Sequence, residues 1–211
     1  DTKTRQQSMF TEYEIETMTE NETILNAVSE LKIDFLKNEA PYLEISEHDF
    51  LSLVMMAPTV GIALANGSVS LWEELALNKK ARKLSKGGYF MKKDPVVYGL
   101  KFFIKKYNDW EDKFFALIKL IMNELVDMPS LRTTFDKSEA VSYQKYKLEV
   151  LNMPYIFIRF LSSFFTEDDE DVISVRTMVK VDFERMKEIG LKLDLGDIPA
   201  FHMFCQTVKT K

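Results

Sequence analysis

The chain has 211 residues, of which 46% are hydrophobic and 29% charged, and its formal net charge is −5. This balance excludes a disordered chain, and the length is typical of a single domain with a substantial core. A single cysteine, Cys205, excludes an internal disulfide and a zinc site built on several thiolates, which favours a cytoplasmic protein.

Helix signals recur along nearly the whole sequence. Glycine (7) and proline (6) are scarce, and apolar residues return at helical spacing between cap and stop signals. The predicted helices lie between Asn21 and Pro41, over Phe50–Ala57, Thr59–Ala65, Leu71–Leu84, Pro95–Tyr107, Asp109–Val126, Ser138–Asn152, Tyr155–Phe165 and Thr166–Ile189, and after Asp197. RTMVKVDF, at 176–183, alternates in a way that also suits a strand. We predict an all-α fold, a bundle-like domain of about nine helices.

The domain boundaries follow from composition. The first seventeen residues differ from the rest and Met18 would make a natural start, so we expect 1–17 to be a tail or an added extension. Residues 18–211 then form one helical domain, with a subdivision near 128–137. Phe50–Ala65 is the longest uncharged run, but Pro58 interrupts it and it is shorter than a bilayer-spanning helix. No transmembrane segment is predicted.

Ile62–Leu75, IALANGSVSLWEEL, predicts the end of one helix, a turn and the start of another. In an EF-hand loop, glycine occupies position 6 and a bidentate glutamate occupies position 12. Gly67 and Glu73 have this spacing. Ile62 and Leu64 would then stand at positions 1 and 3, where oxygen ligands are required. An EF-hand is therefore excluded.

Another family keeps only the second half of this pattern. The order A-x-A-x-G-x-V-S-x-x-E from Ala63 to Glu73, followed by more of a helix, resembles the tellurite-resistance TerB-like helical domains over roughly residues 53–84. The resemblance implies a helical, stress-associated protein with an acidic site for Ca²⁺ or Mg²⁺, built from an Asp-Gly turn, a glutamate and a later half-site. Here Asn66 replaces the aspartate, and the late acidic cluster TEDDED, at 166–171, lacks the glycine.

The same turn can also be explained without an ion. Asn66 and Gly67 tolerate the left-handed conformation that ends a helix. Ser70 can cap the next helix while Glu73 bonds back to the cap, with Val69 and Trp72 packed beneath. Two hypotheses stay open: a helix stop followed by a capping box, or a divalent-cation site with Asn66, Ser70 and Glu73 as ligands. No other cofactor is predicted.

Positive charge is concentrated between residues 79 and 106. This window holds ten basic residues and one acid, whereas residues 12–49 hold eleven acids and two lysines. The ten are Lys79, Lys80, Arg82, Lys83, Lys86, Lys92, Lys93, Lys101, Lys105 and Lys106. Such a basic region is typical of surfaces that bind anions, nucleic acids or membranes, although the acidic front of the chain could also cover it. The excess of lysine over arginine disfavours geometric recognition of phosphate.

Other candidates for chemistry have simpler explanations. His48-Asp49 resembles the paired ligands of metal phosphohydrolases, but those enzymes need further histidines. His202 and Cys205 lie three residues apart without a third, orienting group. The acids of DDEDV, at 168–172, resemble the Mg²⁺ motif of prenyl-transferring helical enzymes, but they also suit the first turn of a helix. No glycine-rich phosphate loop, G-x-S-x-G or H-E-x-x-H motif is present, so we expect no catalytic residue.

These observations favour a non-enzymatic binding or scaffold protein that contacts an unidentified protein partner through its surface. One alternative is a divalent-cation-binding helical domain. The other is a protein that binds anions, nucleic acids or membrane surfaces through the basic region at 79–106. An enzyme is the least supported class.

Overall fold

The computed structural model describes residues 9–87, 93–167 and 172–211. Within these ranges the chain forms twelve helices and one pair of short strands. The helices are α1 (Glu12–Glu20), α2 (Glu22–Glu39), α3 (Glu47–Met55), α4 (Ala57–Ala63), α5 (Leu71–Leu84), α6 (Pro95–Lys105), α7 (Tyr107–Leu125), α8 (Met128–Leu131), α9 (Tyr143–Asn152), α10 (Tyr155–Phe165), α11 (Lys180–Lys192) and α12 (Pro199–Thr207). The strands are β1 (Arg176–Met178) and β2 (Val208–Thr210). The all-α class is confirmed, and the described helices outnumber the nine expected.

Pro58 lies in the first turn of α4, where a missing N–H is tolerated, so α3 and α4 are separate helices, as the sequence predicted. Two of the described helices, α8 and α1, were not predicted. α8 is a single turn within the segment where a subdivision was predicted. α1 lies largely within the segment that we set apart as a tail. Thr11 and Glu14 form a capping box at its start, and Ile15 is fully buried. Residues 9–17 therefore belong to the packed fold.

One predicted helix is wrong in its first half. We expected a helix from Thr166 to Ile189, but β1 occupies 176–178 and α11 begins only at Lys180. β1 pairs in parallel with β2, so that Arg176 lies opposite Val208. Alternating, β-branched residues suit an extended backbone, and the pairing with the distant end of the chain stabilises it against the helix. Residues 168–171, the acidic start of the predicted helix, lie outside the described ranges.

The core is organised around α3, of whose nine residues eight are buried. α3 packs against α1, α2, α5, α6 and α7. The ring of Phe50 lies 5.8 Å from Phe35 of α2 and 5.9 Å from Phe114 of α7, and Phe114 stacks on Phe103 of α6 at 4.4 Å. Each buried ring stabilises the fold by roughly 1.5–3 kcal/mol. Aromatic packing therefore holds these four helices together.

A second aromatic group connects the front of the chain to its end. Phe10 contacts Phe160 of α10 at 4.9 Å, and Phe165 contacts Phe201 and Phe204 of α12 at 5.4 Å and 6.2 Å. These rings belong to the same connected core as the α3 cluster. α10 and α12 therefore complete one packed core rather than a separate one.

α4 lies close to both α7 and α11 at Gly61. A Cβ atom on this residue would lie 2.3 Å from the hydroxyl oxygen of Tyr107 and 2.8 Å from Cδ1 of Ile189. Real Cβ atoms do not come this close to their neighbours, so a side chain at this position would force Tyr107 or Ile189 to move. The spacing of α4, α7 and α11 therefore depends on the missing side chain.

We expect Gly61→Ala to lower the free energy of unfolding by about 1–3 kcal/mol, because the added methyl group overpacks the contact. Urea unfolding measures this change. Adding Tyr107→Phe should recover part of the loss, because it removes the nearest atom, and Tyr107→Phe alone is the control. An unchanged unfolding midpoint for Gly61→Ala would contradict this close packing.

Candidate functional site

The turn between α4 and α5 has the predicted capping box. Gly67 adopts a φ of 97°, the left-handed conformation that glycine accepts readily. The Glu73 N–H donates to Ser70 Oγ at 3.2 Å, and the Ser70 N–H donates to Glu73 Oε2 at 2.7 Å. This part of the prediction is confirmed, since both halves of the box are present.

The three predicted metal ligands all take part in local hydrogen bonds. Besides the bonds of Ser70 and Glu73, Asn66 Oδ1 accepts from the Ser68 N–H at 3.3 Å. Among the described residues, no three His, Cys, Asp or Glu side chains are grouped so as to hold a metal ion. Most of the late acidic cluster, 168–171, lies outside that part of the chain. A Ca²⁺ or Mg²⁺ site at this turn stays a prediction.

A carboxylate that the sequence did not single out lies near Glu73. Asp182 stands in the first turn of α11. Burial, and secondarily the negative charge of Glu73, raises the pKa of Asp182 above its ordinary value. Two acids from distant parts of the sequence therefore lie within electrostatic range of each other.

A cleft of about 690 Å³ lies beside the turn. Three parts of the chain line it: Leu64, Ala65 and Gly67 of the turn, residues 104–109 at the α6–α7 junction, and Val181, Glu184, Arg185 and Glu188 of α11. The volume is within the range of small-molecule sites in proteins. Lys105 and Lys106 bring the end of the basic region to this cleft. The α4–α5 turn and the basic region, which we considered separately in the sequence, therefore both line this cleft.

Arg185 links the elements around the cleft. Its Nε donates to the carbonyl oxygen of Gly61 at 3.3 Å, near the end of α4. The guanidinium group pairs with Glu188 at 3.2 Å and lies 3.7 Å from Glu111, a buried residue of α7. Lys192 also pairs with Glu111, at 2.8 Å. Two cations compensate this buried carboxylate, so the network holds α11 against α4 and α7.

Tyr107 lines the cleft but is not suited to proton transfer. Burial, followed by the charge of Glu111, raises the pKa of Tyr107 above its ordinary value. The hydroxyl group therefore stays protonated, and it donates to the carbonyl oxygen of Ala57 at 3.4 Å. A general acid or base works best with a pKa near the working pH, and Tyr107 is shifted in the opposite direction.

The surroundings of His48 and Cys205 indicate structural rather than catalytic roles. His48 is buried, with Nε2 lying 3.0 Å from the Glu12 carbonyl oxygen and Nδ1 lying 3.2 Å from Asp49 Oδ1. Burial raises the pKa of the Cys205 thiol to about 12, so it is protonated and a poor nucleophile at neutral pH. Burial also lowers the pKa of His202, with a smaller effect from the positive charge of Lys137. Packing explains these residues without catalysis.

The basic region runs along α5, its connection to α6, and α6 itself. Eight of its residues are exposed: Lys79, Arg82, Lys83, Lys86, Lys93, Lys101, Lys105 and Lys106. Lys80 was wrongly assigned to this surface: it is buried, and its Nζ donates to Thr59 Oγ1 at 2.9 Å and to the Ser163 carbonyl oxygen. Its position on the inner side of α5 ties this helix to α4 and α10. Lys92 lies outside the described residues.

Three ion pairs of the acidic front, at residues 12–49, use cations outside the basic region. In the described ranges, Asp34 pairs with Lys113, Glu47 with Lys32, and Glu14 with Arg159. None of these three cations belongs to the basic region. The exposure of the eight basic side chains favours an exposed basic region over one that the acidic front covers.

α5 exposes large apolar side chains at its start. Leu71, Trp72 and Leu75, here called the α5 apolar face, are 68%, 80% and 50% exposed. We predicted that Trp72 packs beneath the turn, which is wrong: its side chain points away from the core. Val179 and Val181, at the neighbouring start of α11, are also exposed. Grouped apolar residues on a surface are typical of interaction sites, where tryptophan often contributes most of the binding energy.

Comparison of the chain with family models, curated proteins and solved structures finds no match. The TerB-like resemblance therefore stays a prediction. None of the helices in the described part of the chain has the length and apolar character needed to cross a membrane.

We expect Asp182→Asn to change how stability depends on pH. The folded protein holds the Asp182 proton more tightly than the unfolded chain, so stability falls as pH rises through the folded pKa. The variant should lack this decrease and gain stability relative to the wild type towards neutral pH. Urea unfolding from acidic to neutral pH measures the difference.

Glu184→Gln is the matched control, because it removes an exposed charge from the same end of α11. It corrects for the favourable effect of acids near a helix start. Parallel pH profiles for the Asp182→Asn variant and the wild type would contradict the expectation.

Proposed function

We propose that this chain is a non-enzymatic binding or scaffold protein of the cytoplasm that acts through contacts at its surface. The observation that carries the proposal is the α5 apolar face, and above all Trp72, 80% of which is exposed. Burying a large apolar side chain contributes about 1.5–3 kcal/mol to stability. The exposed tryptophan and two leucines do not make this contribution in the isolated chain. A partner that covers this face would recover much of that energy.

The chemistry of the cleft supports binding rather than catalysis. Arg185 is held by Gly61 and Glu188, and the Tyr107 hydroxyl is bonded to a backbone carbonyl group. These groups position helices, and their geometry leaves the cleft suited to holding a ligand or a partner side chain. Lys105 and Lys106 would favour a negatively charged group there.

We expect Trp72→Glu to remove partner binding while leaving the fold intact. The wild-type protein, immobilised, captures partners from a cell lysate, and each captured partner is then purified and titrated against both proteins. Loss of a tryptophan from the centre of an interface costs about 2 kcal/mol or more, which corresponds to at least a tenfold weaker affinity. Urea unfolding checks that stability is unchanged, as an exposed position predicts.

Leu151→Glu is the matched control, because Leu151 on α9 is 74% exposed but lies outside the α5 apolar face. The partner's affinity should be the same for this variant and the wild type. Equal affinities for the Trp72→Glu protein and the wild type would remove the α5 apolar face from the proposal.

A second candidate function is divalent-cation binding at the TerB-like turn, with a stress-associated role. The electrostatic repulsion between Asp182 and Glu73 favours it, because a bound cation would relieve that repulsion. Calorimetric titration with Ca²⁺ or Mg²⁺ should then show saturable heat for the wild type and a weaker response for Asp182→Asn. Absence of heat from both ions in the wild type would eliminate this candidate.

The other candidate is binding of an anion, a nucleic acid or a membrane surface through the basic region. The eight exposed cations favour it, and the single acid of the window, Asp94, is already engaged as the N-cap of α6. The charges spread over two helices rather than converging on one point. This arrangement suits non-specific contact with a polyanion better than recognition of one phosphate group.

A further inference from the structure

Asn66 and Gly67 form an exposed Asn-Gly pair in the turn between α4 and α5. Asn66 is the one asparagine of the eight in the chain that precedes a glycine, and six of the other seven lie within helices. In such a pair, the backbone nitrogen of the second residue can attack the side-chain amide of the first. Glycine hinders this attack least, because it has no Cβ atom. The sequence thus marks one asparagine for cyclisation.

The space around this pair is open. Asn66, Gly67 and Ser68 are all exposed, and a Cβ atom built on Gly67 would meet no other atom within 4 Å. The asparagine side chain and the glycine nitrogen both belong to the turn that follows α4, which ends at Ala63. Ring closure here would therefore displace no packed side chain at Gly67.

A backbone N–H group already contacts the atom on which negative charge would develop. The Ser68 N–H donates to Asn66 Oδ1 at 3.3 Å. Attack on Asn66 Cγ turns this oxygen into an oxyanion, and a donor already in place stabilises the charge. Because the bond reaches two residues along the chain, it also folds the side-chain amide over the turn. The hydrogen bond therefore favours the attack.

One hydrogen bond opposes the reaction. The Gly67 N–H donates to the Leu64 carbonyl oxygen at 2.9 Å, so this bond must open before the nitrogen can attack. Leu64 lies just beyond the end of α4, and the bond closes an exposed turn rather than a helix interior. Bonds at helix ends open with much less free energy than global unfolding requires. The bond therefore slows the reaction without preventing it.

We propose that Asn66 is a site of spontaneous deamidation in the folded protein. The Gly67 nitrogen loses its proton to hydroxide and bonds to Asn66 Cγ, and the side-chain nitrogen leaves as ammonia. Water then opens the resulting succinimide ring. Breaking the new bond between nitrogen and Cγ gives aspartate, whereas breaking the original peptide bond gives isoaspartate. Hydroxide and water are the only other reactants.

The product differs from the original turn in charge and in length. Aspartate or isoaspartate at position 66 adds one negative charge to a chain whose formal net charge is −5. Isoaspartate also adds one carbon atom to the main chain between α4 and α5. Gly67 lines the cleft, so both changes lie at its edge. The inference goes beyond the proposed function, because the reaction needs no partner.

Incubation of the purified full chain at neutral and mildly alkaline pH tests the proposal. Isoelectric focusing detects the added charge, peptide mass mapping locates it, and enzymatic methylation detects isoaspartate. We expect a species with one more negative charge that accumulates with time, forms faster as pH rises and is modified at Asn66 before any other asparagine. An intact Asn66 at the end of the incubation, or earlier modification of another asparagine, would overturn the proposal.

Asn66→Gln is the matched control, because its longer side chain must close a larger ring, which forms far more slowly. This variant should keep its original charge throughout. Asn66→Asp should focus with the aspartate product from the start and release no ammonia at this position. Formation of the acidic species by Asn66→Gln at the wild-type rate would also overturn the proposal.

A parallel incubation in guanidinium chloride separates the reaction of the folded turn from one that requires unfolding. Peptide mass mapping should show faster modification of Asn66 in the unfolded chain, because the bond from Gly67 to Leu64 is lost. Modification in native buffer should still proceed, at a lower rate. If Asn66 reacts in guanidinium chloride but stays intact in native buffer, the folded turn protects it and the proposal is overturned.

Discussion

The burial of α3 on nearly every side is the constraint on which the rest of the fold depends. Its first turns carry polar side chains into the core, and a buried polar group without a partner costs about 1–3 kcal/mol. His48 contacts the Glu12 carbonyl oxygen at 3.0 Å, and Ser52 donates to the Leu84 carbonyl oxygen at 2.8 Å. Asp49 accepts from the Lys86 N–H at 2.9 Å. These bonds fix the start of α1 and the end of α5 around the central helix.

The exposure of one side of α5 follows from this arrangement. Its last turn is tied to α3, and Lys80 ties its inner side to α4 and α10. The helix therefore cannot rotate to bury Trp72 without breaking these bonds. The surface that we associate with function is thus the consequence of satisfying polar groups inside the core. The cleft has a similar origin, because the Gly61 contact and the Arg185 network set the distance between its walls.

Local signals along the chain allowed much of the fold to be predicted. A cap, a proline or a glycine acts within a few residues, so the limits of α2, α5, α6 and α10 could be expected within one or two residues. The helix predicted over 166–189 was wrong because a strand partner more than thirty residues away stabilises β1. No local pattern reports that pairing.

The candidate site was less predictable than the helices. The Ser70–Glu73 capping box is a local motif and was found, whereas Arg185, which lines the cleft, and Asp182 belong to a helix far along the chain. Each is an ordinary charged residue on an amphipathic helix, and nothing in its neighbours marks it. Lys80 was misassigned for the same reason, since a lysine in a basic run gives no sign that it faces inwards.

Composition and periodicity alone decided the helical class, most helix limits and the concentration of positive charge at 79–106, because these depend on neighbours in the chain. Only the packed structure decided that Trp72 is exposed, that the charge of Glu73 acts on Asp182 and that a cleft opens between the α4–α5 turn, the α6–α7 junction and α11. The reason is physical: burial and electrostatic contact depend on distances in space. Helices with similar local propensities can pack in several arrangements. The hydrogen bonds of the polar groups in α3 favour one of these arrangements.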